Sequence, residues 1–244
     1  MSLFINLKDQ IRSTLQWLHL DITPNLRYDR LTLRIMQKVI KPDSNCIDVG
    51  CHKGEILDQI LRLAPHGKHF AFEPIPIFSK SLQQKYASLV SIFPFALSNQ
   101  ARTTSFHFVK NAPAFSGIKE RSYLINNPNI EKIEVELKRL DDVLPVGLPI
   151  HFIKIDVEGG EFDVMKGGIN TIKTYKPIII FESGLGASDR YGTLPQDLYL
   201  FIKQEAGLHV SRLQDFLNHS NPLSLHEFVQ CYEQEKEFYY VAHP

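Results

Sequence analysis

The 244-residue sequence predicts an α/β fold: a doubly wound, mostly parallel sheet with helices on both faces. Two observations carry this. Short apolar runs alternate along the chain with segments whose apolar residues recur at helical spacing. The first of these runs ends in Asp48-Val49-Gly50 and a helix follows, the arrangement by which open parallel sheets bind ligands at their carboxyl ends.

The elements follow in order. Leu3, Leu7, Ile11, Leu15 and Leu18 lie on one face of an amphipathic helix over residues 3–18, expected to pack on the domain or on a second copy of the chain as a homodimer. A second helix starts at Thr23-Pro24, a cap followed by proline in the first turn, and stops before Pro42. Together these form a helical extension, residues 1–44, ahead of one domain over residues 45–244. In that domain strands are expected at 46–49, 69–72, 90–95, 149–155, 177–181, 208–210 and 238–242. Helices fall between most of them, near residues 55–61, 77–87, 161–173, 196–205 and 225–235. Between Ala96 and Pro149 two alternating segments, 104–109 and 130–137, read as extra strands inserted after the third, around a polar loop that carries Lys119 and Arg121.

Composition bounds the function. Lys+Arg 27 balances Asp+Glu 27, which argues against a nucleic-acid or anionic-membrane binder working by bulk charge. An apolar content of 43% excludes disorder, and no apolar run approaches the roughly 18 residues of a membrane helix. Lys8, Asp9 and Arg12 stand where a signal peptide needs its apolar stretch, and three cysteines follow no disulfide or metal spacing, so a cytoplasmic protein is expected. The balance hides a gradient: residues 1–45 carry 7 − 4 = +3, and residues 131–163 carry 4 − 9 = −5. The acidic stretch is expected to wall the site.

The chemistry concentrates at Asp48-Val49-Gly50-Cys51-His52-Lys53-Gly54. Gly50 is expected to let the backbone approach a ligand, and Gly54 to let helix and strand pack closely. Glu73 closes the second strand 73 − 48 = 25 residues after Asp48, where an acid accepts ribose hydroxyls in nucleoside-binding folds. The spacing D-x-G-x-x-x-G lacks the second glycine that a pyrophosphate needs, so a dinucleotide is disfavoured. The form resembles the first motif of class I, Rossmann-like, S-adenosylmethionine-dependent methyltransferases.

Later residues narrow this. Ile153-Lys154-Ile155-Asp156-Val157-Glu158-Gly159-Gly160-Glu161, Val164-Met165-Lys166-Gly167, Pro177 and Phe181-Glu182 resemble the signature of FkbM-type methyltransferases. So do Phe72-Glu73-Pro74, Ala96-Leu97-Ser98 and Leu140-Asp141-Asp142. The resemblance covers roughly residues 45–182. It implies seven strands with the last reversed, S-adenosylmethionine as cofactor, and O-methylation of a sugar, glycan or secondary-metabolite hydroxyl. Asp48, Gly50, Cys51, His52, Gly54, Glu73, Ala96, Leu97 and Asp156 are then the expected cofactor-binding positions. Cys51-His52-Lys53 stands where relatives carry small or apolar residues, and Asn99 where an acid is frequent.

Acids near a sulfonium favour its binding by Coulomb attraction and can accept a hydroxyl proton. Asp156 is the first expected base, with Glu158 and His107 in reserve. A divalent ion between Asp156 and Glu182 would lack a third ligand in the sequence, so no metal is expected. His66-x-x-His69 reads as a solvated loop. A partner-recruitment scaffold and a nicotinamide-dependent oxidoreductase remain as alternative functions.

Overall fold

A computed structural model describes residues 24–120 and 127–244. The expected helix over 3–18, the dimer contact assigned to it, and Arg121 lie outside the described residues. Helix α1 (Pro24–Val39) leads to β1 (Cys46–Val49), α2 (Glu55–Leu63), β2 (His69–Phe72), α3 (Pro76–Tyr86) and β3 (Val90–Phe93). The next strands are β4 (Ala96–Leu97), β5 (Arg102–Val109) and β6 (Ile130–Lys138), followed by the short helix α4 (Leu140–Val143). Then come β7 (Phe152–Ile155), α5 (Glu161–Gly167), α6 (Ile169–Tyr175), β8 (Ile178–Glu182) and α7 (Pro195–Leu200). The chain closes with β9 (His209–Arg212), α8 (Leu213–Leu217), α9 (Leu225–Glu233) and β10 (Tyr239–His243).

The main sheet has seven strands in the order β3-β2-β1-β7-β8-β10-β9. All neighbours are parallel except β10, which runs antiparallel to both β8 and β9. The reversed last strand is therefore present. Strands β1, β2 and β7 are buried at every position, as strands covered on both faces must be. The order changes direction at β1 and β7, whose carboxyl ends part to leave a crevice.

The inserted strands do not extend this sheet. They form their own three-stranded sheet, order β4-β6-β5, around Phe106, Val135 and Leu137. The sequence missed β4 because two residues leave no period to read; Ala96 and Leu97 pair parallel with Leu137 and Lys138.

Four expectations shift. Strand 90–95 ends at Phe93, since the chain turns into the second sheet. Helix 161–173 breaks at Gly168, where α5 stops and α6 starts. There the chain crosses two other segments: a Cβ on Gly167 would lie 2.1 Å from the Ser98 carbonyl oxygen, and one on Gly168 2.8 Å from Leu140. The helix expected over 196–205 finishes as a π turn, Phe201–Glu205. His69 opens β2 as the strand pattern expects but is buried rather than solvated, with Nε2 2.8 Å from the Ala64 carbonyl oxygen.

Helix α1 belongs to the domain core. Leu31, Ile35, Met36 and Ile40 bury among Cys46, Leu57, Ile60 and Phe152. Its Tyr28 hydroxyl donates to Glu237 at 2.9 Å and accepts from the Phe238 amide at 3.2 Å. Among the described residues no helix is long and apolar enough to cross a membrane.

Candidate functional site

At the carboxyl ends of β1, β2, β7 and β8 lies a cavity of about 880 Å³. Its floor is Asp48–Lys53, Glu73–Ile75 and Ala96–Ser98, and one wall is Asp156–Glu158 with Glu182 and Tyr239. Tyr28, Asp29 and Thr32 of α1 close one side. Pro113–Ser116 and Ile118 of the insertion, with Leu185–Ala187 and Tyr191, close another.

The first loop is built by hydrogen bonds rather than by glycine alone. The Gly50 amide donates to the Phe72 carbonyl at 2.9 Å, tying the end of β1 to β2. Glu73 accepts the His52 amide at 2.8 Å on one oxygen and the Ile75 amide at 2.9 Å on the other. It is 3% exposed, and burial lifts its carboxyl to about 7 while the two amides pull it down. Each oxygen keeps a second lone pair for a ribose hydroxyl. His52 takes φ +47, an uncommon backbone for a side-chain-bearing residue, and its ring meets Phe78 edge-on at 4.5 Å. Burial, then the neighbouring Lys53 charge, lowers its basicity, so it faces the cavity as a neutral imidazole. Cys51 stays a thiol, because burial and the charges of Asp48 and Glu73 push its ionisation well up.

Asp48 is 2% exposed, and its Oδ2 has no hydrogen-bond partner although it lines the cavity. Burial raises its carboxyl to about 7, against the opposing pull of Lys154. A buried acceptor without a donor costs free energy until a ligand donor meets it. An acid prepared for ribose at Glu73, and an acceptor waiting at Asp48, fit the nucleoside-bearing cation that the sequence resemblance implies.

On the opposite wall three carboxylates converge. One oxygen from each of Asp156, Glu158 and Glu182 lies within 4.8 Å of the other two, so Glu158 joins the pair that the sequence suggested. Glu158 lies in the turn after β7, which ends at Ile155, and takes φ +61 there. A buried ammonium already offsets part of this charge. Lys154, 4% exposed, lies 2.8 Å from Asp156 Oδ2. The Tyr239 hydroxyl donates to the same oxygen, also at 2.8 Å. Glu161 stands behind, 2% exposed, its Oε1 accepting the Val157 and Gly159 amides at 3.0 and 3.2 Å. It holds the loop and does not line the cavity.

Of the expected site residues, Asp48, Gly50, Cys51, His52, Glu73, Ala96, Leu97, Asp156 and Glu158 come together on the cavity. Two do not. Gly54 lies outside it, at φ +83, where a Cβ would meet the Tyr86 hydroxyl at 2.4 Å; its role is packing. His107 is also outside: its neighbour on β5, Phe106, lines the cavity, while the His107 amide and carbonyl pair with Gly117. The acidic stretch 131–163 splits likewise. Asp156, Glu158 and Asp163 reach the cavity, but Glu131 and Glu136 pair with Lys110 and Lys138 on the second sheet. Asp141 caps α6, accepting the Asn170 and Thr171 amides.

Sequence reasoning missed Lys154, Tyr239 and Tyr191 as parts of the site. A lysine two residues before an acid in an otherwise apolar strand was a readable signal for the first. Nothing local marks the two tyrosines.

The profile of the methyltransferase FkbM domain matches residues 48–209. The chain belongs to the FkbM methyltransferase family. This sets the oxidoreductase reading aside, and the chain is a methyltransferase. It is 28% identical to the 2-O-methyltransferase NoeI of Sinorhizobium fredii over 68% of this chain and 76% of that protein. It is 31% identical to the AMB antimetabolite synthetase AmbE of Pseudomonas aeruginosa over 53% of this chain, a match that spans only 8% of that protein's length. Among solved structures, the FkbM methyltransferase of Methylobacillus flagellatus aligns over 89% of this chain and 52% of its own, with TM-score 0.50 and 13% identity. That likeness is one of fold.

Proposed function

We propose that this FkbM-family chain is an S-adenosylmethionine-dependent O-methyltransferase acting on a sugar, glycan or secondary-metabolite hydroxyl. The observation that carries it is the single cavity joining Glu73 and Asp48 to the carboxylate wall and the insertion. The 2-O-methyltransferase named among the relatives supports oxygen as the acceptor atom.

When bound, S-adenosylmethionine supplies a methyl group on a positively charged sulfur that leaves as a neutral thioether. Glu73 would hold the ribose hydroxyls and Asp48 would meet the ammonium of the methionine part. The wall of Asp156, Glu158 and Glu182 supplies negative charge toward the positive sulfur. Asp156 carries two donors on one oxygen, Lys154 and Tyr239, which hold it as counter-charge to the sulfonium, and its other oxygen or Glu158 would accept the hydroxyl proton. Much of the rate comes from alignment of the hydroxyl oxygen with the methyl carbon, which the insertion and α1 enforce by enclosing the acceptor.

The experiment is incubation with methyl-labelled S-adenosylmethionine and a panel of monosaccharides, oligosaccharides and hydroxylated metabolites, with products read by mass spectrometry. A methyl ether is expected. Label found only on nitrogen or carbon overturns the oxygen assignment, and S-adenosylhomocysteine binding with no transfer to any acceptor favours the scaffold.

A further inference from the structure

The reversed strand β10 brings Tyr239 beside Glu182 of β8, its antiparallel partner in register. From there the phenol crosses to β7 and donates to Asp156 Oδ2 at 2.8 Å. The Lys154 ammonium binds the same oxygen at 2.8 Å and also stands 4.7 Å from the centre of the Tyr239 ring. Three groups, on β7, just past its end and on β10, thus close one triangle: a carboxylate held by a phenol and an ammonium, with the ammonium held over the phenol's own ring. Tyr239 lines the cavity as well. Burial, with the charges of Asp156 and Glu182, raises its ionisation well above the ordinary phenol range, so it stays protonated and keeps the proton it donates to Asp156.

We propose that Tyr239 is a positioning residue, which with Lys154 fixes the Asp156 carboxylate toward the cofactor's positive sulfur. Lys154 fixes the carboxylate's orientation weakly, because an ammonium is a point charge that follows either oxygen. The phenol is directional and approaches from β10, with β8 between it and β7, so the two donors together favour one orientation. A fixed carboxylate stabilises a cation better than a mobile one, since no reorganisation is needed when charge arrives or leaves. This rests on the reading of Asp156 as counter-charge given above.

The test compares two ligands that differ by that charge. S-adenosylmethionine carries the sulfonium; S-adenosylhomocysteine does not. Calorimetry on the full chain is run for the unsubstituted protein, Tyr239→Phe and Asp156→Asn. The phenylalanine keeps the ring under Lys154 and removes only the donor. Tyr239→Phe is expected to weaken S-adenosylmethionine at least threefold and leave S-adenosylhomocysteine unchanged. A merely structural tyrosine would change both equally, and that result, like no change in either, overturns the proposal. Asp156→Asn separates the two readings. If it discriminates between the ligands and Tyr239→Phe does not, positioning by Tyr239 fails while the counter-charge reading stands; if neither discriminates, both fail.

A second measurement needs no Tyr239 variant. With tyrosines labelled at Cζ, the resonance that Asp156→Asn displaces should differ between protein saturated with one ligand and with the other. Identical positions would overturn the proposal.

Discussion

A side chain on Gly50 would collide with the backbone of Asp156: an added Cβ would stand 1.9 Å from the Asp156 carbonyl oxygen. Gly50 sits at φ +81, just past β1, and the Asp156 amide donates to the Val49 carbonyl beside it. The glycine of the first motif thus makes room for the second motif, and not for a ligand alone. The two motifs are one object. Gly50→Ala must change both φ and the approach of β7, a destabilisation of about 3 kcal/mol. Melting temperature should fall by roughly 10 °C, and S-adenosylhomocysteine affinity by more than tenfold. A variant with unchanged affinity would show that the loop tolerates separation from Asp156.

Glu73 does two things at once, and its variants should separate them. Glu73→Ala removes the acceptors of the His52 and Ile75 amides as well as any contact with ribose. Affinity for S-adenosylhomocysteine should fall at least roughly tenfold and stability with it. Glu73→Gln keeps one carbonyl acceptor, so stability should recover more than affinity does. Equal recovery of both would remove Glu73 from the ribose.

Much of this was legible in sequence because a buried parallel strand and an amphipathic helix each have a period. Cys46–Val49, His69–Phe72 and the elements between them stand where the sequence places them, and the reversal of the last strand follows from the family signature. What was not legible depends on contacts between distant segments. The break at Gly168 comes from Ser98 and Leu140 lying against the helices, and the left-handed backbone at Glu158 has no local sequence signal. His107 was a reasonable base by type but faces away, because strand parity was unknown without the partner strand.

Buried carboxyls give the stability of the ligand-free chain an inverted pH dependence. Burial raises Asp48, Glu73 and Glu161 to about 7, from ordinary values near 4. Between those limits the folded chain binds more protons than the unfolded one, so its stability falls as pH rises. These contributions are complete below about pH 4 and lost on passing pH 7, while other acids set the low-pH limit. Melting temperature should drop by several degrees from pH 5.5 to pH 8. Glu161→Gln keeps an oxygen for the Val157 and Gly159 amides and should flatten this slope. An unchanged slope would mean that Glu161 does not titrate in this range.

The clustered oxygens of Asp156, Glu158 and Glu182 could draw a divalent cation, but the Lys154 ammonium stands against Asp156 and repels one. Methyl transfer is therefore expected to persist within twofold after chelation with EDTA. Loss of activity that added magnesium restores would instead make these acids a cation site, with Lys154 displaced.

The insertion is tied to the cavity rim by the Tyr191 hydroxyl. Tyr191 accepts the Ile118 amide at 3.1 Å and the Lys119 amide at 3.3 Å, pinning the insertion to the turn after β8. Pro113–Ser116, just before, covers the cavity, and Gly117 packs 3.4 Å from the same hydroxyl, counted from an added Cβ. Tyr191→Phe leaves the ring in place and strips two amides of their acceptor, at roughly 1–3 kcal/mol for each that stays buried. The cofactor floor is untouched, so S-adenosylhomocysteine affinity should hold within twofold. Limited proteolysis within residues 111–120 should quicken several-fold, and KM for the methyl acceptor should rise about tenfold with the cofactor KM constant. A rise in both KM values, or no change in proteolysis, would show that the insertion is held by its own sheet and not by Tyr191.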